Sequence, residues 1–136
     1  MSTVVTNSSA DTVLLGQLCV AQPNATVTLV VTTTGTIVIT SQVAVAVDHR
    51  NGNVDYWSIM HGRGPADCTG IPDAWVGNVP GSLATDVISV TASVQSSYRT
   101  GPGTFTFWLT GLENSAPPNT VSILRSTTVA VFYPDG

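Results

Sequence analysis

The 136 residues carry a formal charge of −4, and Arg50, Arg63, Arg99 and Arg125 are the only permanent cations, since lysine is absent. They lie far apart in sequence, so the clustered cations that track a phosphate backbone are missing and no nucleic-acid partner is expected. No run approaches the roughly eighteen uninterrupted apolar residues of a membrane span, so no membrane insertion is expected.

Val and Thr dominate, Glu113 is the only glutamate, and good helix formers other than Ala and Leu are scarce. That composition favours strands throughout. At this length one domain is expected, residues 1–136, with a core burying about two thirds of the unfolded chain's surface. The start, Met1-Ser2-Thr3-Val4-Val5-Thr6-Asn7, lacks a basic segment followed by an apolar one. The chain is therefore expected to be mature, cytosolically made or exported without its own signal. Residues 1–11 are expected to form a flexible N-terminal arm. Alternation then predicts strands over 12–20 and 26–33, separated by Gln22-Pro23-Asn24.

Gly35 opens a long run over 36–50. Ile37, Ile39, Val43, Val45 and Val47 share one face, and Val38, Thr40, Gln42, Ala44, Ala46 and Asp48 share the other. Asn51-Gly52 favours a two-residue type I′ turn, which needs positive φ at both positions. That turn predicts a hairpin in which Val47 meets Tyr56, Val45 meets Ser58, Ala46 meets Trp57, Ala44 meets Ile59, and Asp48 meets Asp55. The hairpin would be apolar on both faces, and a sheet greasy on both sides needs a cover on both sides.

Between 62 and 82 the chain is interrupted by Gly62, Gly64, Pro65, Gly70, Pro72, Gly77, Pro80 and Gly81, which predicts a long loop of the kind that often carries binding residues. Strand patterning resumes over 86–95. After the Gly101-Pro102-Gly103 turn it continues over 104–112 and, past Asn114-Ser115-Ala116-Pro117-Pro118-Asn119, over 120–133. Seven to nine strands without a helix imply an all-β sandwich or barrel.

The long Gly35-Thr36-Ile37-Val38-Ile39 strand, the turn and loop after it, Gly103-Thr104-Phe105-Thr106-Phe107-Trp108-Leu109 and the closing Ser126-Thr127-Thr128-Val129-Ala130-Val131-Phe132 follow a recognisable order. In rhythm and turn placement it resembles the C1q/TNF-like jelly roll of bacterial and phage proteins, over roughly residues 26 to 134. The resemblance implies a two-sheet antiparallel jelly-roll sandwich whose protomers pack as a homotrimer. Ala44, Ala46, Trp57 and Ile59 are the expected oligomer interface, with Trp57 its anchor.

Candidate chemistry is sparse. His49 and His61 would fall on opposite faces of the hairpin, where they cannot share a metal, and the paired histidines of cupin-type sites are missing. With no Gly-x-Ser-x-Gly turn either, no catalytic residue and no cofactor are assigned. Asp48 and Asp55 at the hairpin end could offer oxygens to Ca²⁺ or simply fan into water. Asp67, Asp73, Trp75 and Asn78 of the long loop, with Arg63, form a candidate glycan site, whereas Trp75 could equally plug the sandwich end. Cys19 and Cys68 could pair as a disulfide or remain thiols; spacing does not decide.

Three functional readings follow. The first is a non-enzymatic oligomerising head of a surface or virion assembly, extracellular or on the virion surface, whose partners are itself and another surface protein or a glycan. The second is a lectin-like domain using the 62–82 loop, and the third a small β-barrel enzyme.

Overall fold

Period-two alternation, interrupted by local irregularities, sends successive side chains to opposite faces along the strands of the structure, a computed structural model that describes residues 3–115 and 117–136. The strands are β1 (Thr3–Ser9), β2 (Val13–Leu14), β3 (Val20–Val31), β4 (Gly35–His49), β5 (Asp55–Gly62), β6 (Ala74–Val79), β7 (Asp86–Thr100), β8 (Gly103–Glu113) and β9 (Val121–Pro134). One sheet has the order β1-β9-β4-β7, with β2 also paired to β9, and the other has the order β3-β8-β5-β6.

Every pairing is antiparallel. Apart from the short β2, the strands pair as nested partners: β5 with β6 at the centre of the sequence, then β4 with β7, β3 with β8, and β1 with β9. A long antiparallel ribbon rolled up in this way is a jelly roll, and the all-β two-sheet sandwich is therefore the fold.

The expected hairpin does not form. β4 pairs β7 and β9, while β5 pairs β6 and β8, so these two strands lie in opposite sheets. The reason is the turn. Of its two central residues only Gly52 has positive φ, at 93°, and the Asn53 amide donates to the Arg50 carbonyl at 3.0 Å. Positive φ confined to the third residue defines a type II turn, which splays its flanking strands instead of twisting them together. The corner is then held from outside by the Gly52 amide donating to the Gly81 carbonyl and the Asn51 amide to Thr85 Oγ1.

Two further expectations are corrected by pairing. Thr3–Ser9, expected as part of a flexible arm, is a strand because its alternating residues match β9 from Phe132 to Ser126. The 62–82 loop contains β6, recruited by the edge of β5 through partners such as Ile59 with Trp75 and Trp57 with Gly77.

The interior divides into two apolar clusters. One contains Val43, Val45, Val47, Trp57, Ile59, Leu109 and Ile123, and the other Val27, Leu29, Ile37, Ile39, Ile71, Phe107 and Phe132. Trp57 is packed so tightly over Gly77 that a Cβ there would sit 2.2 Å from its Cζ2. Replacing Gly77 with Ala must displace the indole, so a loss of about 1–3 kcal/mol is expected in denaturant unfolding. Gly64→Ala, where a Cβ meets nothing within 4 Å, is the matched control and should leave the midpoint unchanged.

Candidate functional site

The histidines are the natural starting point for chemistry, and both point into the interior, His49 from β4 and His61 from β5, each at most 1% exposed. They do not occupy opposite faces of one ribbon, because the ribbon has been opened into two sheets.

His61 lies between the two apolar clusters. Its Nε2 is 2.7 Å from Ser41 Oγ and its Nδ1 is 2.7 Å from Ser96 Oγ, and Ser41 Oγ is 2.7 Å from Thr128 Oγ1. Towards the β1 and β3 side the polar belt continues with Ser126 donating to Gln22 Oε1 at 2.5 Å. A neutral imidazole satisfies such a pair of hydroxyls, donating to one and accepting from the other. Burial lowers the His61 pKa to about 4, only partly opposed by the negative charge of Asp73.

His49 belongs to a second network at the corner end. Its Nδ1 lies 2.5 Å from Asp55 Oδ2 and its Nε2 3.2 Å from the Leu83 carbonyl. Thr120 Oγ1 is 2.5 Å from Asp55 Oδ1 and 2.6 Å from Glu113 Oε2. Glu113 Oε1 also accepts the amides of Thr120 and Val121, each at 3.0 Å. The sequence carries signals of this network: Glu113 is the only glutamate, and His49, Asp55 and Glu113 all occupy inward-facing positions of their strands.

The candidate interface residues are dispersed. Trp57 and Ile59 are core residues, whereas Ala44 and Ala46 are half-buried on the outer face of the other sheet. There Ala44 borders a shallow groove of about 520 Å³ with Ser8, Gln42, Thr91, Arg125 and Thr127. Trp57 Nε1 has no hydrogen-bond partner among the described residues, so the indole contributes by packing, tilted against Trp75 at 5.9 Å.

Asp48 and Asp55 are likewise separated. Asp48 is exposed on the outer face, and Asp55 is turned inward to His49. Among the described residues no group of three His, Cys, Asp or Glu is placed to hold a metal ion.

The long-loop residues divide between two jobs. Asp67 folds the loop, accepting the amides of Arg63, Thr69 and Gly70, which hold its carboxyl below the usual carboxylate range. Asp73 and Trp75 line a cleft of about 420 Å³ with Pro72, Ser93 and Gln95, and Asn78 lies outside it. Cys68 is joined to Cys19 by a disulfide, with the Cα atoms 5.9 Å apart. Arg63 turns its guanidinium among Tyr98, Phe105 and Phe107, 5.0 to 5.2 Å from the ring centres, and donates to the Thr106 carbonyl. Such cation–π contacts anchor the start of the loop.

The two long sides of the sandwich differ. On the β1/β3 side, Asn7 Nδ2 donates to the Asn24 and Thr26 carbonyls, Ser9 Oγ to the Pro23 carbonyl, and Gln22 Nε2 to the Asp11 carbonyl. On the β6/β7 side, β7 presents an open edge fifteen residues long, paired only to β4.

No protein-family profile and no curated protein matches the chain. Solved structures similar to it include infectious bursal disease virus Gx strain, at 10% identity and TM-score 0.43 over 100% of this chain and 33% of that one. Dimeric latent PorU from Porphyromonas gingivalis matches at 8% identity and TM-score 0.43, over 98% of this chain and 13% of that one. Desmodium yellow mottle tymovirus matches at 10% identity and TM-score 0.35, over 100% and 90%. The chain thus spans about a third of the first and far less of the second. At such scores these likenesses carry no functional weight, and the jelly roll rests on the strand order.

The depressed pKa of His61 has a defined sign. Below 6.5 the unfolded chain takes up a proton that the folded state refuses until about 4, so this residue's contribution is present above 6.5 and lost between those values. In thermal melts, the stability advantage of wild type over His61→Gln should shrink as the pH is lowered through that window. A constant advantage would mean that the ring is protonated equally in both states.

Proposed function

We propose that the chain is a non-enzymatic jelly-roll module that assembles with copies of itself, serving as a structural or recognition head of a surface or virion assembly. The observation that carries this reading is the asymmetry of the sandwich's two sides. Exposed strand edges are templates for pairing, and proteins normally blunt them with lysine, proline, bulges or short strands. β7 has none of these: from Val87 to Tyr98 it is uncharged and free of Pro and Gly. Its outward residues include Val87, Ser89, Thr91, Ser93, Gln95 and Ser97, all exposed.

Antiparallel pairing of two β7 edges joins the larger sheets of two copies across a two-fold axis, a closed and self-complementary contact. This supports a dimer in place of the trimer, whose expected patch is not assembled on one face. Engagement of both nitrogens of each buried histidine supports a structural role for the polar residues. A virion or extracellular location fits the disulfide, because such bonds persist in oxidising compartments.

Glycan binding is a second reading, favoured by the Asp73, Trp75 and Gln95 cleft. A rise or fall of tryptophan fluorescence on titration with sugars would support it, and a flat signal across a glycan panel would remove it.

The assembly is tested by sedimentation. Wild type should sediment as two copies, and Ser93→Lys/Ser97→Lys, which places two gatekeeper charges beside the β7 edge, should halve the mass while preserving the circular dichroism spectrum. A wild-type monomer would overturn the proposal, and three copies would restore the trimer.

A further inference from the structure

Asn51 is the one asparagine of the chain that is followed by glycine. In an open chain that pair is chemically unstable, because the Gly52 nitrogen, unhindered by a side chain, attacks the Asn51 side-chain carbonyl carbon once base has removed its proton. The new C–N bond closes a five-membered succinimide, the bond to Nδ2 breaks, and the amide leaves as ammonia after taking up one proton. Water then opens the ring to aspartate or isoaspartate. Water is the only co-reactant, and both residues are exposed at the corner, so burial does not keep it away.

The folded corner opposes each part of this step. The nucleophile's proton is engaged, since the Gly52 amide donates to the Gly81 carbonyl at 2.7 Å. The leaving group is engaged too: Asn51 Nδ2 donates to the Leu83 carbonyl at 3.0 Å and lies 3.4 Å from that of Gly81. The Asn51 backbone is fixed by its own amide, which donates to Thr85 Oγ1 at 2.9 Å. Turn geometry adds a further obstacle. Ring closure needs Cβ and the following nitrogen eclipsed about the Cα–C bond, and the ψ of roughly +120° that a type II turn gives its second residue stands about a third of a rotation away from that arrangement. We infer that Asn51 is a deamidation site gated by the fold, silent while the 81–85 segment grips the corner and reactive when that grip opens.

The change runs one way. It replaces an amide that donates to carbonyl oxygens with a carboxylate that only accepts, and isoaspartate also adds a methylene to the backbone at the second position of the turn. Neither product renews the side-chain contact to Leu83. The segment so released leads directly into β7 at Asp86. Asn51 therefore records past openings of the corner that joins the two sheets.

Hydrogen exchange and succinimide formation share a first step, removal of the Gly52 amide proton by base, so one opening equilibrium slows both. In mildly alkaline buffer, peptide mass mapping should show Asn51 converting at least about ten-fold more slowly in the folded protein than in guanidinium chloride with the disulfide intact. Thr85→Ala loosens the grip and should speed Gly52 exchange and Asn51 conversion in the folded protein by a similar factor, with the rate in denaturant unchanged. Equal rates in folded and unfolded chains, or no conversion in denaturant, would overturn the proposal, as would conversion that fails to follow Gly52 exchange. Should Thr85→Ala not fold, the wild-type comparison decides alone.

Discussion

The type II corner at residues 50–53 sets the architecture. With positive φ at Gly52 alone, β4 and β5 part instead of pairing. The apolar face of each then meets the other across the sandwich interior. Val43, Val45 and Val47 descend from one sheet and Trp57 and Ile59 from the other into a single cluster. What reads in one dimension as a ribbon needing cover on both sides is two half-covered strands covering each other.

Polar groups give this interior its particular arrangement. A core of Val, Ile and Leu would tolerate sliding between the sheets, whereas the hydroxyl and imidazole belt at Ser41, His61, Ser96 and Thr128 is satisfied only in one alignment. The corner network fixes the same alignment at one end, and Arg63 among three aromatic rings fixes the mouth of the long loop. Acid acts on this arrangement through His61, by forcing a proton onto a ring that burial keeps neutral.

Much of this was legible in the residues. Period-two alternation locates the long strands, and the inward set of β4 from Ile37 to Val47 is correctly read. Pairing was not legible, because Asn-Gly serves both type I′ and type II turns, and what selects between them is the distant 81–85 segment that grips Gly52 and Asn51. β6 was hidden by Gly77, a glycine that a loop tolerates but that here makes room for Trp57. The corner network was not legible because its two local pairs, His49 with Asp55 and Glu113 with Thr120, lie far apart along the chain: Thr120 is sixty-five residues from Asp55. Only folding brings them together.

The same rolling leaves the sandwich with two unlike sides, one stitched by Asn7, Ser9 and Gln22 and the other ending in the bare edge of β7. Self-association through that edge is the centre of the functional account, and backbone hydrogen exchange reads it most directly. Outward amides of β7 should become protected as protein concentration rises, while those on the stitched β1/β3 side stay unchanged. Rapid exchange along the whole β7 edge at every concentration would contradict it.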